Sequence, residues 1–194
     1  MALLDPVHNL VGEKVALGPL RRDLVPLYAR WMNDFEVTRN LGAWVGPLPI
    51  EREEAWYDAA VRDSNEAHFT IYERTSGSPI GTSGLTGIDY QHRRATFGIV
   101  IGEKECWGKG YGAETARLVA GYGFTGLGLH TIELSVYSFN ERAIRAYRRA
   151  GFRENGRRRE AFWVAGRPYD IIRMEILSTD LPIGELGRVV LGVD

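Results

Sequence analysis

Cysteine is almost missing from this 194-residue chain, with Cys106 the only one. An internal disulfide is therefore excluded, and so is a structural zinc site built on several thiolates; no metal-ligand set is expected. No histidine stands close to Cys106 in sequence to activate it as a nucleophile, so a loop thiol without chemistry is the plainer reading. An excess of charge is missing as well. The 24 Lys and Arg against 25 Asp and Glu leave a formal net charge of −1, and so no overall field to draw in nucleic acid or an anionic membrane. No stretch approaches the roughly 18 to 20 apolar residues of a membrane span, and Met1 to Gly18 holds no basic segment followed by an apolar run. These absences predict a cytoplasmic protein with neither a nucleic-acid nor a membrane partner. Internal repeats, low-complexity tracts and a linker rich in Pro, Gly and Ser are absent too. With 44% hydrophobic residues one core suffices, and a single domain over 1–194 is expected.

What is present is an alternation of strand and helix patterns. Val15 to Leu17 reads as a strand, and Asp23 to Met32 as a helix with Leu24, Leu27, Tyr28 and Trp31 on one face. After the turn residues Gly46, Pro47 and Pro49, Glu51 to Asp63 reads as a second helix, with Ala55, Trp56, Ala59 and Ala60 inward. His68 to Glu73, Ile80 to Ile88 and Thr96 to Ile101 are strand candidates whose short links predict antiparallel hairpins. Gly110 to Leu127 has helical spacing through Ala113, Ala116, Ala120, Phe124 and Leu127. Thr131 to Tyr137 alternates like a half-buried strand. Glu141 to Ala150 is expected to be a helix with Ala143, Ile144, Tyr147 and Ala150 inward and Arg142, Arg145, Arg148 and Arg149 outward, stopped by Gly151. Strands around Arg153 to Phe162 and Tyr169 to Leu177 complete the series, and residues beyond Pro182 are expected to fray.

The chemistry is concentrated in Trp107-Gly108-Lys109-Gly110-Tyr111-Gly112, a glycine-rich loop between a strand and a helix start. Glycines let an anion approach the main chain, and the unpaired amides of the first helical turn point at it along the helix dipole. Lys109 is placed to add charge from the side. A P-loop is excluded by spacing, since its first glycine would be Glu103 and its Ser/Thr would be Gly110. The dinucleotide fingerprint is matched by Gly108, Gly110 and Ala113. Against it, five residues separate Gly102 from Gly108 where that fingerprint turns directly off its strand, and only 82 residues follow Gly112, too few for a doubly wound sheet.

A third reading covers more of the chain. The loop, followed by the block Asn140, Ala143, Tyr147, Gly151 and Phe152, resembles the GNAT acyltransferase superfamily. Trp107, Gly110 and Gly112 fill the family's pyrophosphate turn, whose first position is usually Arg or Gln. The second block fills its Asn, two residues, Ala, three residues, Tyr pattern. From about Glu13 to Asp180, Trp31 to Asp34, the Tyr-Gly-Ala-Glu opening at Tyr111 and Arg167 to Asp170 are similar to the branch of ribosomal-protein N-terminal and polyamine acetyltransferases.

The resemblance implies an α/β (α+β) fold, a mixed and mostly antiparallel sheet of about seven strands flanked by helices, with the strands at Thr96 to Ile101 and Thr131 to Tyr137 splayed apart. Acetyl-CoA is the implied acyl donor. Its pantetheine would lie against the main chain of Ile99 and Ile101, its pyrophosphate on Trp107 to Gly112, and Asn140 and Ala143 would complete the cofactor site. An amide at the end of the strand would face the thioester carbonyl. Tyr147 is the family's position for the acid that protonates the departing thiolate, while an aromatic filling the helix face is its purely structural reading. Asn140 has a structural reading too, as a helix cap. The base is not defined: many relatives carry a glutamate where this chain has Thr96, so either the amine proton leaves through water or Glu103, Glu133 or Ser135 takes it. For the amine acceptor, a small molecule or a peptide, Trp44, Glu51, Tyr90 and Phe162 are expected near the groove. Relatives are often dimers, so a homodimer is possible. A non-catalytic acyl-CoA-binding or sensing module stays open as the alternative, with Thr96 in its favour and Tyr147 against it.

Overall fold

The computed structural model describes residues 7–41 and 46–182, so the expectations for Trp44 and for the segment beyond Pro182 fall outside it. Among the described residues one sheet of eight strands forms the centre, in the order β1-β2-β3-β4-β5-β6-β8-β7. The strands are β1 Leu10–Val11, β2 Val15–Pro19, β3 Ala67–Glu73, β4 Pro79–Asp89, β5 Arg94–Ile101, β6 Thr131–Tyr137, β7 Arg153–Val164 and β8 Arg167–Leu177. The strand beyond the expected seven is the two-residue edge β1, too short to show any alternation. Among the described residues five α-helices accompany the sheet: α1 Val25–Met32, α2 Phe35–Thr38, α3 Ile50–Ala60, α4 Tyr111–Thr125 and α5 Glu141–Ala150. None of the described helices is long and apolar enough to cross a membrane.

All neighbouring strands are antiparallel except β5 and β6. That parallel pair is joined by only three rungs, Arg94↔Thr131, Ala95↔Ile132 and Thr96↔Glu133. Past Thr96, β5 keeps its pairing with β4 as far as Gly81↔Ile101. Past Glu133, β6 stays on β8 as far as Tyr137↔Ile171. Each strand follows its outer partner, so a wedge opens between them, as the resemblance predicts.

Side chains alternate across a strand, so each face of the sheet has its own cover. Phe69, Ile71, Leu85, Phe97, Ile132 and Leu134 face Ala116, Val119 and Ala120 of α4 and Ile144 of α5 in the larger core. On the opposite face, Tyr28 of α1 joins its hydroxyl to Thr70 Oγ1 at 2.5 Å, and Trp56 of α3 sets its ring edge-on to His68. Tyr28, Trp31, Val25 and Ala60 make the smaller core there. The inward face of α3 is therefore Glu53, Trp56, Tyr57 and Ala60, whereas the predicted Ala55 and Ala59 are exposed. The two aromatic rings decide this face, because burying a ring gains far more than burying a methyl group.

Candidate active site

The loop after β5 is built to leave amides free. Gly108 and Gly110 adopt φ of +78° and +93°, left-handed values that suit glycine and turn the chain sharply into α4. Gly110 is the N-cap of α4, and its carbonyl accepts from the amides of Ala113 and Glu114. The N–H groups of Gly108, Lys109, Gly110, Tyr111 and Gly112 make no hydrogen bond among the described residues. Five consecutive free amides at the positive end of a 15-residue helix form an anion nest. Two contacts fix the nest in place. The Tyr111 hydroxyl donates to Glu73 of β3, a bond that pushes the phenol up to about 12. Lys14, which sequence reading passed over, donates from Nζ to the Lys109 carbonyl at 3.1 Å. The Lys109 ammonium acts electrostatically on Glu73 and Cys106.

This nest opens into a cavity running along β5 between the starts of α4 and α5. Ile99, Ile101, Trp107, Gly108, Gly110, Tyr111, Gly112, Asn140, Ala143 and Tyr147 all line it, so nine of the ten predicted cofactor residues and the predicted acid meet at one place. Lys109 is the exception among the lining groups. The main-chain groups of β5 show their direction through their partners. The Gly102 amide donates to Ile80 O on β4, and the Gly98 carbonyl accepts from Ser83 of β4. By alternation, Ile99 and Ile101 turn theirs toward the wedge. The Ile101 carbonyl already accepts the Trp107 indole N–H at 2.8 Å, which leaves its second lone pair and the Ile99 groups for a ligand.

Tyr147 lines the cavity, its ring edge-on to Phe97 and tilted against Phe152 with centroids 6.1 Å away in each case. Burial pushes its phenol up to about 12, so it holds its proton at neutral pH. Asn140 performs the helix-capping role, its Oδ1 accepting from the Ala143 amide at 3.1 Å, while the side chain still borders the cavity. Ser138, two residues earlier, accepts from the Asp170 amide and takes no part in the cap. Cys106 is buried in the cavity wall, and desolvation first, then the charge of Glu73, raises its thiol, as befits an unreactive sulfur.

Besides Lys14, two elements of the site escaped sequence reading. Helix α2 is only four residues long, capped by Asp34, yet with the residues after it it brings Val37, Asn40 and Leu41 over the cavity. Arg142 is not on the outer face of α5. Its guanidinium lies over the Trp107 ring, 3.7 Å from the centroid, and burial followed by the charge of Arg39 lowers its pKa.

On the other face of the sheet, Thr96, Glu133, Ser135 and Tyr137 line a hollow at the apex of the wedge. Glu133 is paired there with Arg173 at 2.9 Å. Glu103 is held by Arg30 and by the Trp31 indole, a structural anchor and no free base. Among the expected acceptor residues, Phe162 packs on Tyr137 at the open end of β6, 4.1 Å between centroids. Tyr90 lies beyond the closed end of the wedge, in the turn joining β4 to β5 and close enough to act on Tyr122 of α4, which removes it from the groove. Glu51 is exposed in the first turn of α3. No group of three or more His, Cys, Asp or Glu among the described residues is arranged to hold a metal.

The sequence model of the acetyltransferase (GNAT) domain matches residues 14–153. The chain belongs to the GNAT acetyltransferase family. Within that family it is similar to spermidine N(1)-acetyltransferase of Escherichia coli K12, with 37% identity over 122 residues, 63% of this chain. The match spans 64% of that enzyme's length, just under two thirds. The spermidine N(1)-acetyltransferase of Vibrio cholerae is 33% identical over 77% of this chain and 87% of its own. A crystal structure of the Vibrio cholerae spermidine N-acetyltransferase in complex with CoA and spermine superposes with a TM-score of 0.79, at 29% identity, covering 87% of this chain and 98% of that one. The mixed sheet with its central splay is thus the GNAT fold.

Proposed function

We propose that this protein is one GNAT domain, with its core over about 13–180, that transfers the acetyl group of acetyl-CoA directly to a primary amine, and that the amine belongs to a polyamine. The observation that carries the reading is the wedge between β5 and β6, since the cavity with the nest runs along its β5 edge on the α4 side and the hollow of Thr96, Glu133 and Ser135 lies at its apex on the other. A donor entering from the helix side and an amine entering from the opposite face would meet at its apex. The pyrophosphate fits the free amides of Gly108 to Gly112, and the pantetheine can complete the unpaired edge of β5 as an added strand. Neutral amine attacks the thioester carbonyl, the developing oxyanion faces main-chain amides, and the departing thiolate takes the proton that Tyr147 retains.

The similarity to spermidine acetyltransferases supports the polyamine class. The sensing alternative is not favoured: a binder without chemistry has no need of a protonated phenol in the cavity lining. Thr96 offers no carboxylate, so the amine proton leaves through water or through Glu133, its partner across the last β5–β6 rung. The test is thiol release from acetyl-CoA against spermidine, spermine, an aminoglycoside, free amino acids and peptides bearing a free N-terminus. Turnover with the polyamines is expected; turnover with peptides alone would refute the acceptor assignment, and CoA binding without turnover on any amine would refute the catalytic one.

A further inference from the structure

The opening between α2 and the start of α5 is flanked by Arg39, Arg142 and Trp107, together with two carboxylates, Glu36 and Glu141. Neither carboxylate is free for the arginines, because Glu36 is paired with Lys104 and Glu141 with Arg145. Arg142 itself has no hydrogen bond or ion pair among the described residues, although Arg39 stands near enough to repel it. A half-desolvated guanidinium beside a second cation, with no acid paired to either among the described residues, is suited to an anion. Its position is set by Trp107. That indole is tied by its N–H to the Ile101 carbonyl and offers its ring face to Arg142. Trp107 directly precedes the five free amides, and Arg142 lines the same cavity as they do.

The pyrophosphate turn of the family begins with a basic or amide side chain, and this chain has Trp107 there. We infer that Arg142, stacked on Trp107, supplies the missing cation from α5 and grips the donor's pyrophosphate beside the amides of Gly108 to Gly112, with Trp107 as its positioning residue. The inference rests on the acyl-CoA reading above. It gives the tryptophan a function, since a planar ring orients a planar guanidinium in a way that a point charge on a lysine does not match.

The experiment is calorimetric titration of the intact protein with CoA and with dephospho-CoA, which keeps the pyrophosphate and lacks the 3′-phosphate, for wild type, Arg142→Ala, Arg142→Lys, Trp107→Phe and Trp107→Leu. Arg142→Ala is expected to weaken both ligands about 10- to 100-fold, the range of hydrogen bonds to charged groups, with Arg142→Lys recovering only part. Trp107→Phe keeps a ring face and most of the affinity. Trp107→Leu is expected to weaken CoA binding on its own and to add nothing in an Arg142→Ala background, a dependence that mere support of the fold would not produce. Unchanged CoA affinity in Arg142→Ala would overturn the inference. A deficit seen with CoA and absent with dephospho-CoA would move Arg142 to the 3′-phosphate and overturn the pyrophosphate assignment. Wild type that failed to bind CoA would overturn the acyl-CoA reading itself, an outcome distinct from the other two.

Discussion

Replacing Tyr147 by Phe removes one oxygen and little else. The ring keeps its contacts with Phe97 and Phe152, and the hydroxyl has no hydrogen bond among the described residues to lose. Deleting a hydroxyl without a protein partner from a half-buried side chain is near neutral for stability, so the thermal midpoint should hardly move. The kinetic effect should be large. Burial pushes the phenol up to about 12, which keeps the proton on the oxygen at working pH and available to the thiolate. Positioned acid catalysis contributes about 10² to 10⁴ in rate, equivalent to about 2.7 to 5.4 kcal/mol of barrier. Steady-state thiol release with spermidine should therefore show kcat lowered by at least about 10², with the KM for acetyl-CoA changed little. The sign of the pH effect follows from the raised pKa: the acid form prevails throughout the neutral range, so wild type should show no alkaline loss assignable to this phenol below about pH 11, one unit short of that value. A Phe variant with kcat within a factor of about two of wild type would refute the argument, since so small a change lies far below the range for acid catalysis.

Gly112 has an ordinary helical φ, and a Cβ there would meet nothing closer than Ile99 Cδ1 at 4.0 Å, so Gly112→Glu should fold normally. Its carboxylate would stand by the amide nest, where like charges about 4 Å apart repel by about 4 kcal/mol at an effective dielectric of about 20. Calorimetry should find CoA affinity reduced by roughly three orders of magnitude; retained affinity would mean that the phosphates bind elsewhere. Gly102→Ala should destabilise the fold by about 1–3 kcal/mol, because its Cβ would lie 2.1 Å from the Trp31 ring, which its bond to Glu103 holds in place; an unchanged urea midpoint would contradict this. Burial raises the pKa of Glu53, so the folded state binds that proton more readily than the unfolded chain. The Glu53 contribution to stability is thus greatest below the ordinary carboxyl value of 4.5 and falls as pH rises through the raised value. Urea melts of Glu53→Gln should show a gain over wild type that grows across that window and then levels off; a pH-independent difference would refute the assignment.

Where one physical signal dominated, the sequence was readable. β6 and α5 have the predicted bounds because Ile132, Leu134 and Val136 alternate cleanly, while Ile144, Tyr147 and Ala150 recur at helical steps up to the left-handed Gly151. The loop and the cavity residues were legible through the glycine spacing and the resemblance, Lys109 apart. What escaped depends on contacts between distant segments. Four residues of α2 fall below any periodic window, yet Asp34 and Glu36 tie that helix to Lys104 and hold it against the cavity. Arg142 has the same pattern as its exposed neighbours, and only the placement of Trp107 turns it inward. The pairing of Thr96 with Glu133 is a matter of register between strands 37 residues apart, which neither sequence alone specifies. On α3 the inward positions of Trp56 and Ala60 were legible, while Ala55 and Ala59 were given weight that belonged to Glu53 and Tyr57.

The central claim is that the wedge between β5 and β6 is the seat of the acyl donor, and a crystal structure of the protein with CoA tests it most directly. The account predicts pantetheine alongside Ile99 to Ile101 in the wedge, the pyrophosphate on the amides of Gly108 to Gly112, and the thiol close to the Tyr147 hydroxyl. Pantetheine bound outside the wedge, or a thiol far from Tyr147, would contradict it.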